Sequence, residues 1–156
     1  MIIISPYSKQ LISKKRNPKN YPYWKELTSA IKENEIIQIG VTGEEQIVKD
    51  FRKNLPLKQI EDLVRQCELW MSVDNFFPHL AHHIGKPGLV IFGVSYPNIY
   101  GYPENINILK DRKYLRKNQF DMYDSCLFNE DVFLKPNDII VKIKTLLDKI
   151  REQIGK

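Results

Sequence analysis

Cysteine is scarce in this sequence, and the two that occur are far apart. Cys67 and Cys126 are the only cysteines among 156 residues, and their separation fits neither a disulfide framework nor a CxxC site. No apolar run approaches the length of a membrane span, and the apolar run at the N-terminus is far too short for a signal peptide. We therefore expect a protein of the reducing cytoplasm without a transmembrane segment.

Internal repeats and low-complexity tracts are also absent. With 42% hydrophobic and 28% charged residues, the sequence predicts one globular domain over residues 1–156, and a second domain does not fit. The net charge of +5 is modest, but the cations are concentrated in residues 9–19 and 110–117. Such clusters suit a phosphate-bearing ligand, an anionic surface or nucleic acid, although they most often only keep a protein in solution.

Short apolar runs alternate with segments of helical period, which is typical of a parallel sheet covered by helices. The pattern therefore predicts a three-layer, Rossmann-like α/β domain. The loop at residues 94–104 contains two prolines and a glycine, and we expect it to carry function. The expected strands are residues 2–4, 36–41, 69–73, 89–92 and 106–109, and the expected helices are residues 23–33, 42–54, 57–67, 79–84 and 137–154.

Residues 73–93 predict an anion-binding site. An apolar strand ends at Asp74 and Asn75, which are both good helix N-caps, and the helix that follows would present free N–H groups and its positive dipole end. We expect the backbone N–H groups of residues 75–77 to cradle phosphate. The alternative is that Asp74 and Asn75 only cap the helix.

The same stretch resembles a known family. Asp74 and Asn75 are followed, after three positions, by His79-Leu80-Ala81, a Gly-Lys-Pro corner and an apolar strand that ends in Phe-Gly. This order is similar to the donor-site segment of glycosyltransferase family nine, the heptosyltransferase-like enzymes. Further similar elements are residues 2–8 (first strand and phosphate-side loop), Lys15-Arg16-x-Pro18 with Trp24 (the family's Lys-Arg-Trp-Pro element), residues 40–45 and residues 134–150.

The resemblance spans nearly the whole chain, but it covers only the C-terminal, donor-binding half of the family's two-domain protein. It implies one half of a GT-B fold, and a nucleotide sugar such as ADP-heptose as substrate rather than a cofactor. It also implies inverting transfer without a metal. The family's catalytic base belongs to the acceptor domain, which a partner protein or a homodimer would have to supply. No catalytic base is therefore assigned in this chain.

Ligands of open α/β sheets lie beyond the carboxyl ends of the strands, so the loops at residues 5–8, 40–45, 74–77 and 93–97 are expected to form one site. Lysine or arginine there would neutralise the diphosphate and the charge on the departing nucleotide. A serine hydroxyl would donate to phosphate, a glutamate would bind ribose hydroxyls, and glycines would allow a close approach. The expected residues are Ser8, Lys15, Arg16, Gly40, Gly43, Glu44, Glu45, Asp74, Asn75, Phe76, Phe77 and His79.

Each assignment has a plainer alternative. Lys15 and Arg16 would then belong to a solvated loop, and Glu44 and Glu45 to an ordinary first helical turn. His79 would be a hydrogen-bonded core histidine.

Two positions depart from the family. Asn75 and Phe76 replace a small residue and a glycine, so Phe76 or Phe77 is expected to fill or line the pocket. His79, His82 and His83 lack carboxylate or cysteine partners at zinc-site spacing, so no metal is expected.

Two other functions remain open from the sequence. In the first of these functions, the chain would bind a nucleotide or sugar nucleotide without turnover. In the second, the basic and aromatic residues 110–123 and the basic N-terminal loop would bind nucleic acid. The alternative for residues 110–123 is an ordinary solvated helix, which the modest charge and the lack of a recognised nucleic-acid motif favour.

Overall fold

Three consecutive isoleucines lie at the centre of a six-stranded parallel sheet. The computed structural model describes residues 1–156. Strand β1 (Ile2–Ser5) pairs with β2 (Ile36–Gly40) on one side and with β4 (Leu69–Val73) on the other. The remaining strands are β3 (Asp50–Lys53), β5 (Leu89–Ile91) and β6 (Ile106–Ile108). The strand order is β3-β2-β1-β4-β5-β6, and every pair is parallel.

Helices cover both faces of the sheet because successive strand side chains point to opposite sides. Ile2 and Ile4 share one apolar cluster with the helices at residues 24–29 and 136–154, whereas Ile3 shares the other cluster with the helices at residues 57–66 and 77–84. The predicted three-layer α/β fold is therefore confirmed. The helices are α1 (Trp24–Ser29), α2 (Leu57–Gln66), α3 (Phe77–Ile84), α4 (Pro97–Tyr100) and α5 (Pro136–Ile154). None of them combines the length and apolar character needed to cross a membrane.

The predicted helix at residues 42–54 is wrong. These residues form turns and then β3, which adds to the edge of the sheet beside β2. The buried side chain of Gln38 explains the difference, since its Nε2 donates to the Glu45 carbonyl at 2.9 Å and its Oε1 accepts from the Ile47 N–H at 2.7 Å. Those two backbone groups are then tied to the sheet, and Gly43 has a φ of +97° that a helix does not accommodate.

Most other boundaries agree within a few residues, but α1 ends earlier than residue 33. After Ser29 the chain continues in tighter turns, in which the Ile31 N–H donates to the Thr28 carbonyl and the Asn34 N–H donates to the Ile31 carbonyl. The expected helix at residues 79–84 begins two residues earlier, at Phe77.

Residues 110–123 are not the solvated helix that we considered as an alternative. They contain the 3-10 turn Arg112–Tyr114 and the first residue of a second one (Tyr123–Ser125), and the Arg116 guanidinium connects parts of the loop between them. It donates to the carbonyls of Gln119 and Asp121 at 2.8 Å and lies 3.7 Å from the centre of the Tyr123 ring. This cation therefore stabilises the loop.

Gly88 provides a test of the packing between β4 and β5. A Cβ at this position would overlap the ring of Trp70, which is fully buried. We expect Gly88→Ala to lower the free energy of unfolding by about 1–3 kcal/mol, the usual cost of overpacking a core. Urea denaturation measures this change.

Gly155→Ala is the matched control, because the nearest atom to its added Cβ is 3.5 Å away. Its stability should stay within about 0.5 kcal/mol of the wild type. Equal effects of the two substitutions would contradict the packing described for Trp70.

Candidate functional site

A cleft of about 1570 Å³ opens at the carboxyl ends of β1, β2 and β4. The chain runs outward from β1 to β3 on one side of the sheet and then returns to form β4 against the other side of β1. Ligands of open α/β sheets bind at such a reversal of strand order. The fold therefore puts the cleft where a ligand is expected.

Eleven of the twelve predicted residues line this cleft, and three of the four predicted loops meet there. Phe77 is the exception, because it is fully buried and its ring packs 5.4 Å from that of Trp70. The loop at residues 93–97 is also absent from the cleft wall. Val94 and Tyr96 in that loop are hydrogen-bonded to Gln119, and Tyr100 and Tyr123 line the cleft instead.

Asn75 joins the ends of β1 and β4. Its Nδ2 donates to the carbonyls of Ser5 and Tyr7 at 3.2 and 3.1 Å, and its Oδ1 accepts from the Phe77 N–H at 2.9 Å. The Ser8 hydroxyl donates to the Asp74 carbonyl at 2.6 Å. The predicted donation from Ser8 to phosphate would require that bond to break, so Ser8 holds the two loops together in this structure.

The start of α3 offers fewer free N–H groups than the sequence indicated. Asn75 already occupies the Phe77 N–H, and Pro78 has none. Asn75 thus occupies an N–H group at the start of the helix, although the N-cap position itself is Phe76, and the predicted phosphate cradle loses one of its three amides. An anion in this cleft needs other donors.

Lys19 provides a fixed cation in the cleft. Its Nζ lies 3.6 Å from the Asp74 carboxylate and 4.4 Å from the centre of the Tyr123 ring, and only 16% of its side chain is exposed. Burial lowers the pKa of Lys19, and the Asp74 charge opposes that shift. Asp74 thus holds the lysine in the cleft wall, where its orientation is set before any ligand arrives.

The two predicted cations are held less firmly. Lys15 and Arg16 are exposed, and the Arg16 guanidinium stacks 3.8 Å from the centre of the Phe128 ring at the rim. Lys19 was not among the residues predicted from the sequence, although it follows Pro18 in the same cationic run, because nothing in the run distinguishes its members. The six cations that line the cleft are Lys9, Lys14, Lys15, Arg16, Lys19 and Lys25.

The two glutamates differ in their surroundings. Glu45 pairs with Lys25 at 2.5 Å and accepts from the Tyr7 hydroxyl at 3.3 Å, and the hydrogen bond from Lys25 lowers its pKa. Glu44 is half-buried with its carboxylate against Gly40, where a Cβ would overlap it, and burial raises its pKa. One carboxylate oxygen of Glu44 is buried without a partner. Glu45 is therefore already paired with two side chains, whereas that oxygen of Glu44 has no hydrogen-bond partner.

Apolar side chains form another part of the cleft. Val41, Leu57 and Phe76, which we call the apolar wall, line it and are each about half exposed, at 54%, 56% and 48%. Leu57 begins α2 and Phe76 precedes α3, in the layer opposite the one that contains α1. The cations lie mainly on the loop that leads to α1, so the cleft combines an apolar side with a cationic side.

Two of the three histidines of α3 are hydrogen-bonded to the loop that follows α4. His79 Nδ1 lies 2.6 Å from the Tyr102 hydroxyl, and His82 is hydrogen-bonded to Glu104. No group of three or more histidine, cysteine, aspartate or glutamate side chains comes close enough together to hold a metal ion.

Three solved structures are similar to this chain in fold. E. coli ADP-heptose LPS heptosyltransferase II has a TM-score of 0.68 and 15% identity, over 95% of this chain and 46% of that one. The chain has the heptosyltransferase fold. E. coli heptosyltransferase WaaC, solved with ADP, has a TM-score of 0.63 and 16% identity, over 93% of this chain and 43% of that one. The dodecameric iron-containing heptosyltransferase TibC, in complex with ADP-D-beta-D-heptose, has a TM-score of 0.61 and 14% identity, over 99% of this chain and 46% of that one.

These likenesses confirm the predicted heptosyltransferase-like fold and the prediction of one half of a GT-B fold. The chain spans about half the length of the heptosyltransferase structures it matches. No protein-family model and no curated protein matches it. At these identities the likeness concerns the fold, and the assignment to the C-terminal half stays a prediction.

The ion pair between Lys19 and Asp74 is testable through stability. Asp74→Asn leaves the buried Lys19 cation without its anion, so we expect the free energy of unfolding to fall by about 3 kcal/mol. In the variant the pKa of Lys19 falls further below its ordinary value. At pH values between this lowered pKa and the pKa of Lys19 in the unfolded chain, the unfolded state binds more protons than the folded state. The free energy of unfolding of the variant therefore rises with pH in this range. Urea denaturation at several pH values between 7 and 10 should therefore show the deficit shrinking as the pH rises.

The double variant Lys19→Met and Asp74→Asn is the control, because it carries no buried charge at this position. It should regain much of the lost stability, and its difference from the wild type should show a weaker pH dependence. A deficit in Asp74→Asn that stays constant from neutral to alkaline pH would contradict the ion pair.

Proposed function

We propose that the chain binds the diphosphate of a nucleotide sugar in this cleft and acts as the donor half of a glycosyltransferase. The observation that carries the proposal is Lys19, a cation fixed in the wall of a cleft at the reversal of strand order. Two of the proteins with this fold were solved with ADP and with ADP-D-beta-D-heptose. An adenine nucleotide is therefore the first ligand to examine.

The chemistry of the cleft gives an orientation to the ligand. The diphosphate would lie beside Lys19, with Lys15 and Arg16 neutralising its outer oxygens. The ribose hydroxyls would donate to Glu44, as they do to the acidic residue of dinucleotide sites. The base would pack against Val41 and Leu57 of the apolar wall, and the sugar would point toward the open side of the cleft.

Transfer of the sugar breaks its bond to the diphosphate and leaves extra negative charge on the departing nucleotide. Lys19 would stabilise that charge without reorganisation, because Asp74 and Tyr123 already hold it. The reaction we propose is inverting and needs no metal. Its catalytic base would come from an acceptor domain on a partner protein or on a second copy of the chain, as the resemblance to glycosyltransferase family nine implies.

Nucleotide binding is testable by thermal shift with UDP, ADP, GDP and CMP and their sugar derivatives. A ligand present at one hundred times its dissociation constant adds about 2.7 kcal/mol to the free energy of unfolding. We expect a diphosphate nucleotide, ADP first, to raise the melting temperature, and CMP to raise it least. A shift that is the same for all of these compounds, or absent for all, would contradict the proposal.

The role of Lys19 is testable by isothermal titration with the nucleotide that binds best. Lys19→Gln removes a charged donor to the diphosphate, which is worth about 1.5–3 kcal/mol and corresponds to roughly 10- to 100-fold in affinity. Lys15→Gln, at the exposed rim, should cost less because solvent screens its charge.

Lys58→Gln is the control, since Lys58 pairs with Asp62 on the surface of α2 and does not line the cleft. Its affinity should equal that of the wild type. Equal losses in the Lys19 and Lys58 variants would mean that the nucleotide binds elsewhere. Tight binding without transfer, whichever acceptor domain is added, would identify a binding module that lacks turnover.

A further inference from the structure

Four side chains form a connected cluster between α3 and the loop that follows α4. Tyr102 lies against His79 and His82, which are three positions apart on one face of α3. The Tyr102 ring stacks on the His82 ring with centroids 3.8 Å apart and an interplanar angle of 11°. Its hydroxyl lies 2.6 Å from His79 Nδ1. Glu104, two residues along the loop, is hydrogen-bonded to His82 Nδ1.

The hydrogen bonds in this cluster set the tautomers of both histidines. A carboxylate only accepts, so His82 carries its proton on Nδ1 and donates to Glu104, which also lowers the pKa of Glu104. Between a phenol and a neutral imidazole, the phenol O–H is the stronger donor and the ring nitrogen the stronger acceptor. Tyr102 therefore donates to His79 Nδ1, and the remaining proton of His79 resides on Nε2.

His79 lines the cleft and directly follows Phe77 and Pro78, the first two residues of α3. There the Phe77 N–H is occupied by Asn75, and Pro78 has no N–H. A histidine that presents Nε2–H can donate a neutral hydrogen bond to an anion, as the backbone N–H groups missing from the helix start would otherwise do. The opposite tautomer would present a lone pair at Nε2 and repel an anion.

We infer that Tyr102 is a positioning residue, which fixes His79 as the Nε2–H tautomer so that it donates to an oxyanion in the cleft. The His82 ring stacks on Tyr102, and Glu104 holds His82 through a hydrogen bond. The contact with a ligand's oxyanion rests on the proposed function, whereas the tautomer is a property of the free chain. Tyr102 does not touch the ligand and acts through His79.

The tautomer is measured directly by long-range ¹H–¹⁵N correlation spectra of the full chain with ¹⁵N-labelled histidine. At about pH 8, above the ordinary titration range of imidazole, His79 should show a protonated Nε2 and an unprotonated Nδ1. In Tyr102→Phe the stacking on His82 is kept but the donor to His79 is lost, so both nitrogen signals of His79 should move toward the average of two tautomers. The exposed His83 provides the matched control, since His83→Gln assigns one signal and should leave His79 unchanged.

Pyrophosphate, titrated calorimetrically, reports the consequence for an anion. Tyr102→Phe should weaken its binding about three- to tenfold, the effect of one neutral hydrogen bond. His79→Gln offers an amide N–H near the position of Nε2 and needs no tautomer, so adding Tyr102→Phe to it should cause no further loss. This double-mutant cycle separates positioning through His79 from a general structural effect.

The outcomes distinguish this inference from the proposed function. A proton on His79 Nδ1 in the wild type, unchanged His79 signals in Tyr102→Phe, or the same loss of affinity in both backgrounds would each overturn the role of Tyr102. If the wild type binds neither pyrophosphate nor any nucleotide while the His79 signals respond as expected, the proposed function fails and the positioning of His79 stands.

Discussion

The connection between the ends of β1 and β4 is the constraint on which the site depends. Where the connections after two adjacent strands run in opposite directions along the sheet, a crevice forms between their loops. In this chain Asn75 and Ser8 fix the width of the crevice, because each side chain donates a hydrogen bond to the main chain of the neighbouring loop. Because these side chains stabilise the crevice, they are not free to bind a ligand. In the function we propose, the residues that bind the ligand are therefore their neighbours, chiefly Lys19, Glu44 and His79.

This division of roles gives the cleft its chemical character. Many nucleotide sites hold phosphate with the backbone N–H groups at a helix start, but in this chain Asn75 and Pro78 remove part of that capacity. In the site we propose, side-chain donors replace it, and each is held by a neighbour: Lys19 by Asp74, and His79 by Tyr102. A site of this kind depends on salt and on single side chains more than a backbone cradle does.

The layered fold was predictable from the sequence because the apolar runs are short and separated by segments of helical period. The exception, residues 42–54, has a helical pattern that the buried side chain of Gln38 overrides through contacts within the folded sheet. The position of the cleft was also predictable from the ends of the strands. The sequence did not show which lysine is fixed, because Lys15 and Lys19 differ only in the side chains that surround them in the folded protein. The contact between Tyr102 and His79 was not predictable either, because only the folded loop brings the two residues together.

A crystal structure of the chain grown with ADP at saturating concentration tests the central claim most directly. The account predicts a diphosphate in the cleft between β1 and β4, with an oxygen within about 3 Å of Lys19 Nζ and the ribose beside Glu44. A nucleotide bound outside this cleft, or a diphosphate that lies away from Lys19, would contradict it.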